Sequence, residues 1–278
     1  MSYKTILVHA DLSRHAPARI RAAAGLAKAH GAHLLGVAAT GVSQYVFPRG
    51  YHALPGSLEA SYFAPLHDKA QRALAQFGTI AAEVGVSAEP RLISDLASEA
   101  LARTGRFADL VVVNQDDLAE ALTETAGRIP EYVVLTSARP VLVLPCAPPP
   151  QRIGQYVLVA WNGSKEASAA LRAAVPLLQR AVRVTVVSFA TPDDAEQFTD
   201  SEQADLTAFL ARHGVRAETL LIKRTIECGD TLLTLATQDG YDLIVMGCYG
   251  HTQFREMFLG GVSRTILQKC SLPVLMAR

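Results

Sequence analysis

The chain has few cysteines, few aromatic residues, no excess of either charge and no long apolar run. Only four cysteines occur in 278 residues, at Cys146, Cys228, Cys248 and Cys270, with no C-x-x-C pair and no histidine at ligand spacing. That scatter excludes a disulfide framework and a zinc site, and no metal site is expected from the residues. Lys plus Arg number 26 and Asp plus Glu number 26, so the basic excess of a nucleic-acid or anionic-membrane binder is missing. Small-molecule or protein partners are expected instead. No uncharged apolar run approaches the roughly 20 residues that a membrane-spanning helix needs. The opening run Ile6-Leu7-Val8 is too short for the core of a secretion signal. The resulting expectation is a cytoplasmic protein with neither nucleic-acid nor membrane partners.

What the sequence does have is length, apolar content and internal repetition. Half of its residues are apolar, and the length suits two domains of ordinary size. The same order of segments occurs twice. Tyr3-Lys4-Thr5-Ile6-Leu7-Val8 opens the first half and Gln155-Tyr156-Val157-Leu158-Val159 the second, each leading into an Ala/Arg/Leu-rich stretch. Ala108 to Asn114 parallels Tyr241 to Gly247, and Arg139 to Pro145 parallels Leu272 to Arg278; both pairs are offset by 133 positions (241 − 108 and 272 − 139). A constant offset across an intervening loop and helix argues for duplication.

Within each half, continuous β-branched runs alternate with helical periodicity, the pattern of parallel strands buried on both faces. Strands are expected near 4–9, 33–39, 88–93, 109–114 and 140–144, then 155–160, 182–189, 216–222, 242–247 and 273–277. Helices are marked by stretches such as Ala16–His30 and Lys165–Arg180, with Gly31, Gly85 and Gly214 placed to end helices. The predicted fold is α/β: two repeated Rossmann-like domains, each an open five-stranded parallel sheet with helices on both faces. The domains are expected at 1–146 and 155–278. The proline-rich 147–154 is the linker, since Pro148-Pro149-Pro150 cannot continue a helix or a central strand. Residues 41–65, with Tyr45, Tyr51, Tyr62, Phe47, Phe63 and three prolines, break the pattern. They are read either as a surface loop or as a lid or docking surface.

Open α/β sheets bind ligands outside the carboxyl ends of strands, where strand order reverses. In the second half Gly247 and Gly250 follow a strand, and Gly260-Gly261 falls where the next helix should start. Glycines there fit a tight turn and a helix cap, or a cradle in which backbone N–H groups approach phosphate oxygens. Their position after an apolar strand favours the cradle. His251, Arg255 and Arg264 are candidate phosphate countercharges, or exposed polar residues.

These motifs resemble the universal stress protein family, in its tandem two-domain form, over essentially the whole chain. The resemblance implies the adenine nucleotide α-hydrolase-like variant of the Rossmann-like fold. Nucleotide-binding members carry G-x2-G-x9-G followed by Ser, Thr or Asn; here Gly247-x2-Gly250-x9-Gly260 is followed by Gly261. The resemblance implies that Gly247, Gly250, Gly260, Gly261, Val262 and Ser263 hold the phosphates of ATP or another adenine nucleotide, with or without a divalent cation. It places the adenosine pocket at Ala160, Trp161 and Asn162, where Asn162 stands for the family's usual Asp and the Trp161 indole either stacks on a base or fills its space. In the first half Asp11 keeps the acid, yet Asn114 and Asp117 replace Gly247 and Gly250. Gly127 alone survives opposite Gly260, and Pro130 stands opposite Ser263. Asp116, Asp117, Glu120 and Glu124 oppose a phosphate, so no nucleotide is expected in this half, which reads as a degenerate copy with a structural or regulatory role.

Catalytic signatures are missing: there is no G-x-S-x-G, no G-x-x-x-x-G-K-[ST], no H-E-x-x-H and no S-G-G-x-D-S, and no catalytic residue is assigned. At most slow ATP hydrolysis is expected. Two functions remain open. One is a nucleotide-binding stress-response protein with a sensing or regulatory role; the other is a nucleotide-independent interaction module for an unknown protein partner. The resemblance also implies that the closing strands, Val141–Leu144 and Val274–Met276, pair inside the chain as a pseudo-dimer, and it favours a homodimer of chains.

Overall fold

The computed structural model describes residues 2–43, 45–47, 58–117, 128–147, 152–190, 200–223, 228–248 and 261–278. They cluster into two compact units, Ser2–Val141 and Leu142–Arg278.

The first unit runs β1 (Thr5–His9), α1 (Ala16–His30), β2 (His33–Ala39), α2 (Leu58–Val84), β3 (Ala88–Ile93), α3 (Ala97–Gly105), β4 (Leu110–Asn114) and α4 (Ile129–Thr136). Its strand order is β3-β2-β1-β4, and β1 pairs in parallel with both β2 and β4. Ile6, Leu7 and Val8 of β1 and Val111, Val112 and Val113 of β4 are fully buried, which explains runs without polar alternation. Each such side chain contributes roughly 1.5–3 kcal/mol relative to exposure.

The second unit takes in β5 (Val141–Leu144) from Leu142 onward, then β6 (Tyr156–Trp161), α5 (Lys165–Leu178), β7 (Arg183–Ala190), α6 (Asp200–Arg212), β8 (Glu218–Lys223), α7 (Cys228–Gln238), β9 (Leu243–Gly247), α8 (Gly261–Lys269) and β10 (Val274–Ala277). Its strand order is β5-β10-β9-β6-β7-β8, and β6 pairs in parallel with β7 and β9. The expected pairing of the closing strands is present, since β5 is the hydrogen-bonded neighbour of β10; it corrects the count of five strands per sheet, because the second unit is built on six. The physical reason is that an apolar strand such as Val-Leu-Val-Leu cannot be left as an unpaired edge.

In both units the chain steps outward from the first strand of the repeat to the edge and then returns to that strand's other side. Right-handed crossovers therefore set α1 and α2 on one face and α3 and α4 on the other, and likewise divide α5 and α6 from α7 and α8. The helices stop where the sequence placed glycines. Gly31, Gly85 and Gly214 all have positive φ, and the following N–H groups of Ala32, Val86 and Val215 close back on the carbonyls of Ala27, Ala81 and Leu210, the left-handed cap that glycine accepts without strain.

A second repeated device ties each domain's first strand to its fourth. Asp109 accepts from the N–H groups of Lys4 (2.7 Å) and Thr5 (3.0 Å), and Asp242 accepts from Gly154 and Gln155 (both 2.9 Å). Burial raises the pKa of Asp242 while these backbone bonds pull against it. Among the described residues no helix is long and apolar enough to cross a membrane.

Candidate functional site

The strand order reverses beside β1 in the first unit and beside β6 in the second, which puts the ligand-end crevices at β1/β4 and β6/β9. In the second unit Ala160 is in register with Met246, so Trp161 and Gly247 lie side by side at the two strand ends. The Trp161 indole nitrogen is buried and has no hydrogen-bond partner among the described residues. An indole N–H can only donate, so the end of β6 presents a donor without an acceptor.

Asn162 follows in an exposed position. Its Oδ1 accepts from the Ser164 N–H (3.2 Å) and hydroxyl (2.7 Å), and Ser164 in turn caps α5 by accepting from the Ala167 N–H (3.1 Å). The carbonyl end of Asn162 thus builds the helix start, which leaves its amide nitrogen outside these bonds.

Gly247 has a packing role. A Cβ there would lie 2.4 Å from the backbone nitrogen of Ala167 and 2.5 Å from the carbonyl carbon of Glu166. The first turn of α5 presses directly onto the end of β9, and only glycine fits. Beside it Cys248 is buried, its N–H and thiol both directed at the Ala277 carbonyl (3.0 and 3.3 Å). Burial pushes the Cys248 thiol up to about 12, so it is no nucleophile.

Gly261, Val262 and Ser263 form the start of α8. A Cβ on Gly261 would meet nothing within 4 Å among the described residues, whereas Ser263 is buried. Arg264 is exposed on the same turn. Gly250, Gly260, His251 and Arg255 lie outside the described residues. One acidic side chain escaped the sequence reading: Glu166, buried in the first turn of α5 with the Lys165 ammonium 3.6 Å away. An acid two residues after a capping serine was the available signal.

The first unit fills the equivalent volume with its own side chains. Arg19, on the inner face of α1, is 2% exposed. Its guanidinium donates to the His9 carbonyl (2.9 Å), Asn114 Oδ1 (2.7 Å) and Asp11 Oδ1 (2.8 Å). Asp11 also accepts from the Ser13 N–H (3.0 Å) and hydroxyl (2.6 Å), and its Oδ2 is 3.3 Å from His9 Nδ1. Burial works against the Asp11 charge, but the imidazole, the guanidinium and the serine bonds together hold its pKa well below the usual range. Burial, with help from Arg19 and against the pull of Asp11, lowers His9 to about 4, so its imidazole is neutral at pH 7 and Arg19 is the working countercharge.

Neither Asp116 nor Asp117 stands bare. Asp117 Oδ2 accepts from Arg14 Nε (3.0 Å) and lies 2.8 Å from His15 Nε2. Asp116 accepts from the N–H groups of Arg128 (2.6 Å) and Ile129 (3.3 Å) at the start of α4. Burial raises the Asp116 pKa, and these two bonds oppose that rise. Arg128 holds φ +79°, a strained value for a side chain larger than glycine. Gly127, Glu120 and Glu124 lie outside the described residues. Arg19 was not foreseen from sequence, although an arginine set into an otherwise apolar helical stripe was a usable signal.

The second unit thus combines a doubly wound α/β sheet with a small-residue helix start at its reversal point. Residues 155–278 match the Universal stress protein family. A universal stress protein of Methanocaldococcus jannaschii is 33% identical over 49 residues, which span 18% of this chain and 30% of that relative's length. The crystal structure of a universal stress protein from Archaeoglobus fulgidus superposes with a TM-score of 0.74 at 16% identity, covering 99% of this chain and 98% of that one. A Pseudomonas aeruginosa protein of unknown function follows at a TM-score of 0.56 and 15% identity, covering 99% and 92%. These two structures share the fold. Residues 155–278 therefore belong to the universal stress protein family, and the chain as a whole shares the fold of a solved member.

Proposed function

We propose that the second half binds an adenine nucleotide, ATP or a related one, and that occupancy serves a sensing or regulatory role in a stress response. The observation that carries this reading is the open start of α8. No described residue comes within 4 Å of where a Gly261 side chain would be, and Gly261 follows the strand that ends beside Trp161. Helix N-terminal N–H groups favour an anion, so Gly261, Val262 and Ser263, with Gly250 and Gly260 from the intervening segment, would hold phosphates. The unpartnered Trp161 N–H and the amide nitrogen of Asn162 would donate to acceptors of the nucleoside. Gly247 would let α5 close on β9 as well as offering its backbone to the phosphates. Ala160 would support the floor of the pocket. With no general base at these positions, turnover would be at most slow hydrolysis, and any divalent cation would be brought by the phosphates.

The test is binding of ATP, ADP and AMP to the purified chain, followed by the fluorescence of Trp161, the single tryptophan. Saturable quenching or enhancement that is lost in Gly250→Asp is expected. No binding at millimolar nucleotide would remove the proposal. The second reading, a nucleotide-independent interaction module, draws on the exposed Tyr45, Val46, Phe47 and Tyr62 of the first unit, an apolar patch of the kind that meets protein partners. An unknown protein partner and a homodimer both fit either reading.

A further inference from the structure

We infer that the first half carries its own substitute for a ligand: the Asp116 carboxylate occupies the anion seat at the start of α4, and Asp117 engages the Arg14 and His15 side chains beside it. The inference rests on hydrogen bonds of the first half alone and stands whether or not the second half takes a nucleotide.

Two separate observations support it. The first is the match between seat and occupant. With the 133-position offset, Arg128 and Ile129 correspond to Gly261 and Val262. These are the residues whose N–H groups start α4 and α8, and in α4 both N–H groups point at one carboxylate, at 2.6 and 3.3 Å. A carboxylate receiving two backbone N–H bonds at a helix start makes the contacts that a phosphate oxygen pair would make. The second is the treatment of the cations. Arg14 and His15, which could otherwise draw an external anion, both converge on Asp117 Oδ2, and the buried Arg19 is spent on Asp11 and Asn114.

This half is therefore held permanently in the arrangement that a bound anion would impose. It works as a fixed, always-occupied copy joined to a copy that can be empty. Asp116 and Asp117 act as an intramolecular inhibitor: they exclude an external phosphate by supplying the same contacts first. Removing both carboxylates uncovers a site for inorganic phosphate made by the Arg128 and Ile129 N–H groups with Arg14 and His15.

The experiment compares the full-length chain with its Asp116→Gly/Asp117→Gly variant in thermal melts, with inorganic phosphate against sodium chloride at matched ionic strength. The second half is identical in both, so any phosphate response it has cancels. The variant is expected to melt lower than the wild-type chain and to recover in phosphate by about 2–4 °C when phosphate is tenfold above its Kd, at least twice the wild-type response. Equal responses, or no phosphate-specific recovery up to about 20 mM in a variant with native circular dichroism, would overturn the inference. If the glycine pair prevents folding, Asp116→Asn/Asp117→Asn keeps one acceptor oxygen at each position while removing the charge. The same comparison then decides, with an equal phosphate response again counting against the inference.

Discussion

The ends of β1 and β4 in the first half and of β6 and β9 in the second descend from one pattern, yet they treat polar groups in opposite ways. In the first half a buried arginine, an imidazole and three aspartates bond to one another and to the start of α4. In the second half the positions matching His9, Arg19 and Arg128 are Ala160, Ala170 and Gly261, and the Trp161 N–H has no acceptor among the described residues. Duplication kept the strand ends and helix starts. Divergence then filled one crevice with polar side chains and set small residues, Ala160, Ala170 and Gly261, at the matching positions of the other. A fold of this kind fixes where a ligand would sit, while side chains at a handful of positions decide whether that place is already taken.

The comparison can be broken most strongly at Gly247. Adding a Cβ at this position in Gly247→Ala forces the first turn of α5 off β9, because backbone atoms at 2.4 and 2.5 Å cannot swing aside. A loss of about 3 kcal/mol is expected, together with loss of any nucleotide binding. In the first half the corresponding Asn114 already carries a side chain, and Asn114→Ala should cost only about 1.5–3 kcal/mol through the lost bond to Arg19. Urea denaturation measures both. Equal, small losses would mean that α5 does not crowd β9 as described.

Acid provides the next test, because the floor of the first half's crevice holds a buried imidazole, that of His9. The His9 pKa is lowered to about 4 on folding against about 6.5 in the unfolded chain. A depressed folded pKa gives stability that is fully present above 6.5 and lost as pH falls towards 4, since the unfolded chain binds the proton first. The expected loss across that window is on the order of 3 kcal/mol. Asp11, also depressed, adds further loss only below the ordinary carboxylate range. His9→Gln should flatten the profile between pH 6.5 and 4; an unchanged slope would place the acid-sensitive group elsewhere.

The smallest expected effect concerns Arg128, which keeps a left-handed backbone where the second half has glycine. Arg128→Gly keeps the N–H that Asp116 accepts and relieves the strain, so the chain should gain about 1 kcal/mol. A higher melting temperature checks this, and a lower one would show that the arginine side chain has a stabilising contact that outweighs its φ of +79°.

All ten strands lie within two residues of the positions expected from apolar runs, and α1 has the expected bounds. Burial on both sheet faces writes itself into sequence as unbroken β-branched stretches, and left-handed helix caps demand glycine at Gly31, Gly85 and Gly214. The site was legible to a lesser degree. The acids of the first half were visible as obstacles to phosphate, but their partners were not. Arg14, His15 and Arg19 come from the other end of the same half, and their bonds to Asp117 and Asn114 span 95 to 103 positions. Gly247 was read for its freedom and its closeness to a ligand, whereas its nearest neighbours are the backbone atoms of Glu166 and Ala167.

Sequence by itself determined the duplication, the strand and helix order and the chemical asymmetry between the halves, because these follow from local periodicity and from comparing a chain with itself. Tertiary structure alone decided which groups meet. It put the Asp116 carboxylate on the α4 amides, set the Arg19 guanidinium between Asp11 and Asn114, and left the Trp161 N–H without an acceptor among the described residues. Hydrogen bonds depend on distances of a few tenths of an ångström between residues far apart in the chain, and no local pattern of residue types encodes such distances.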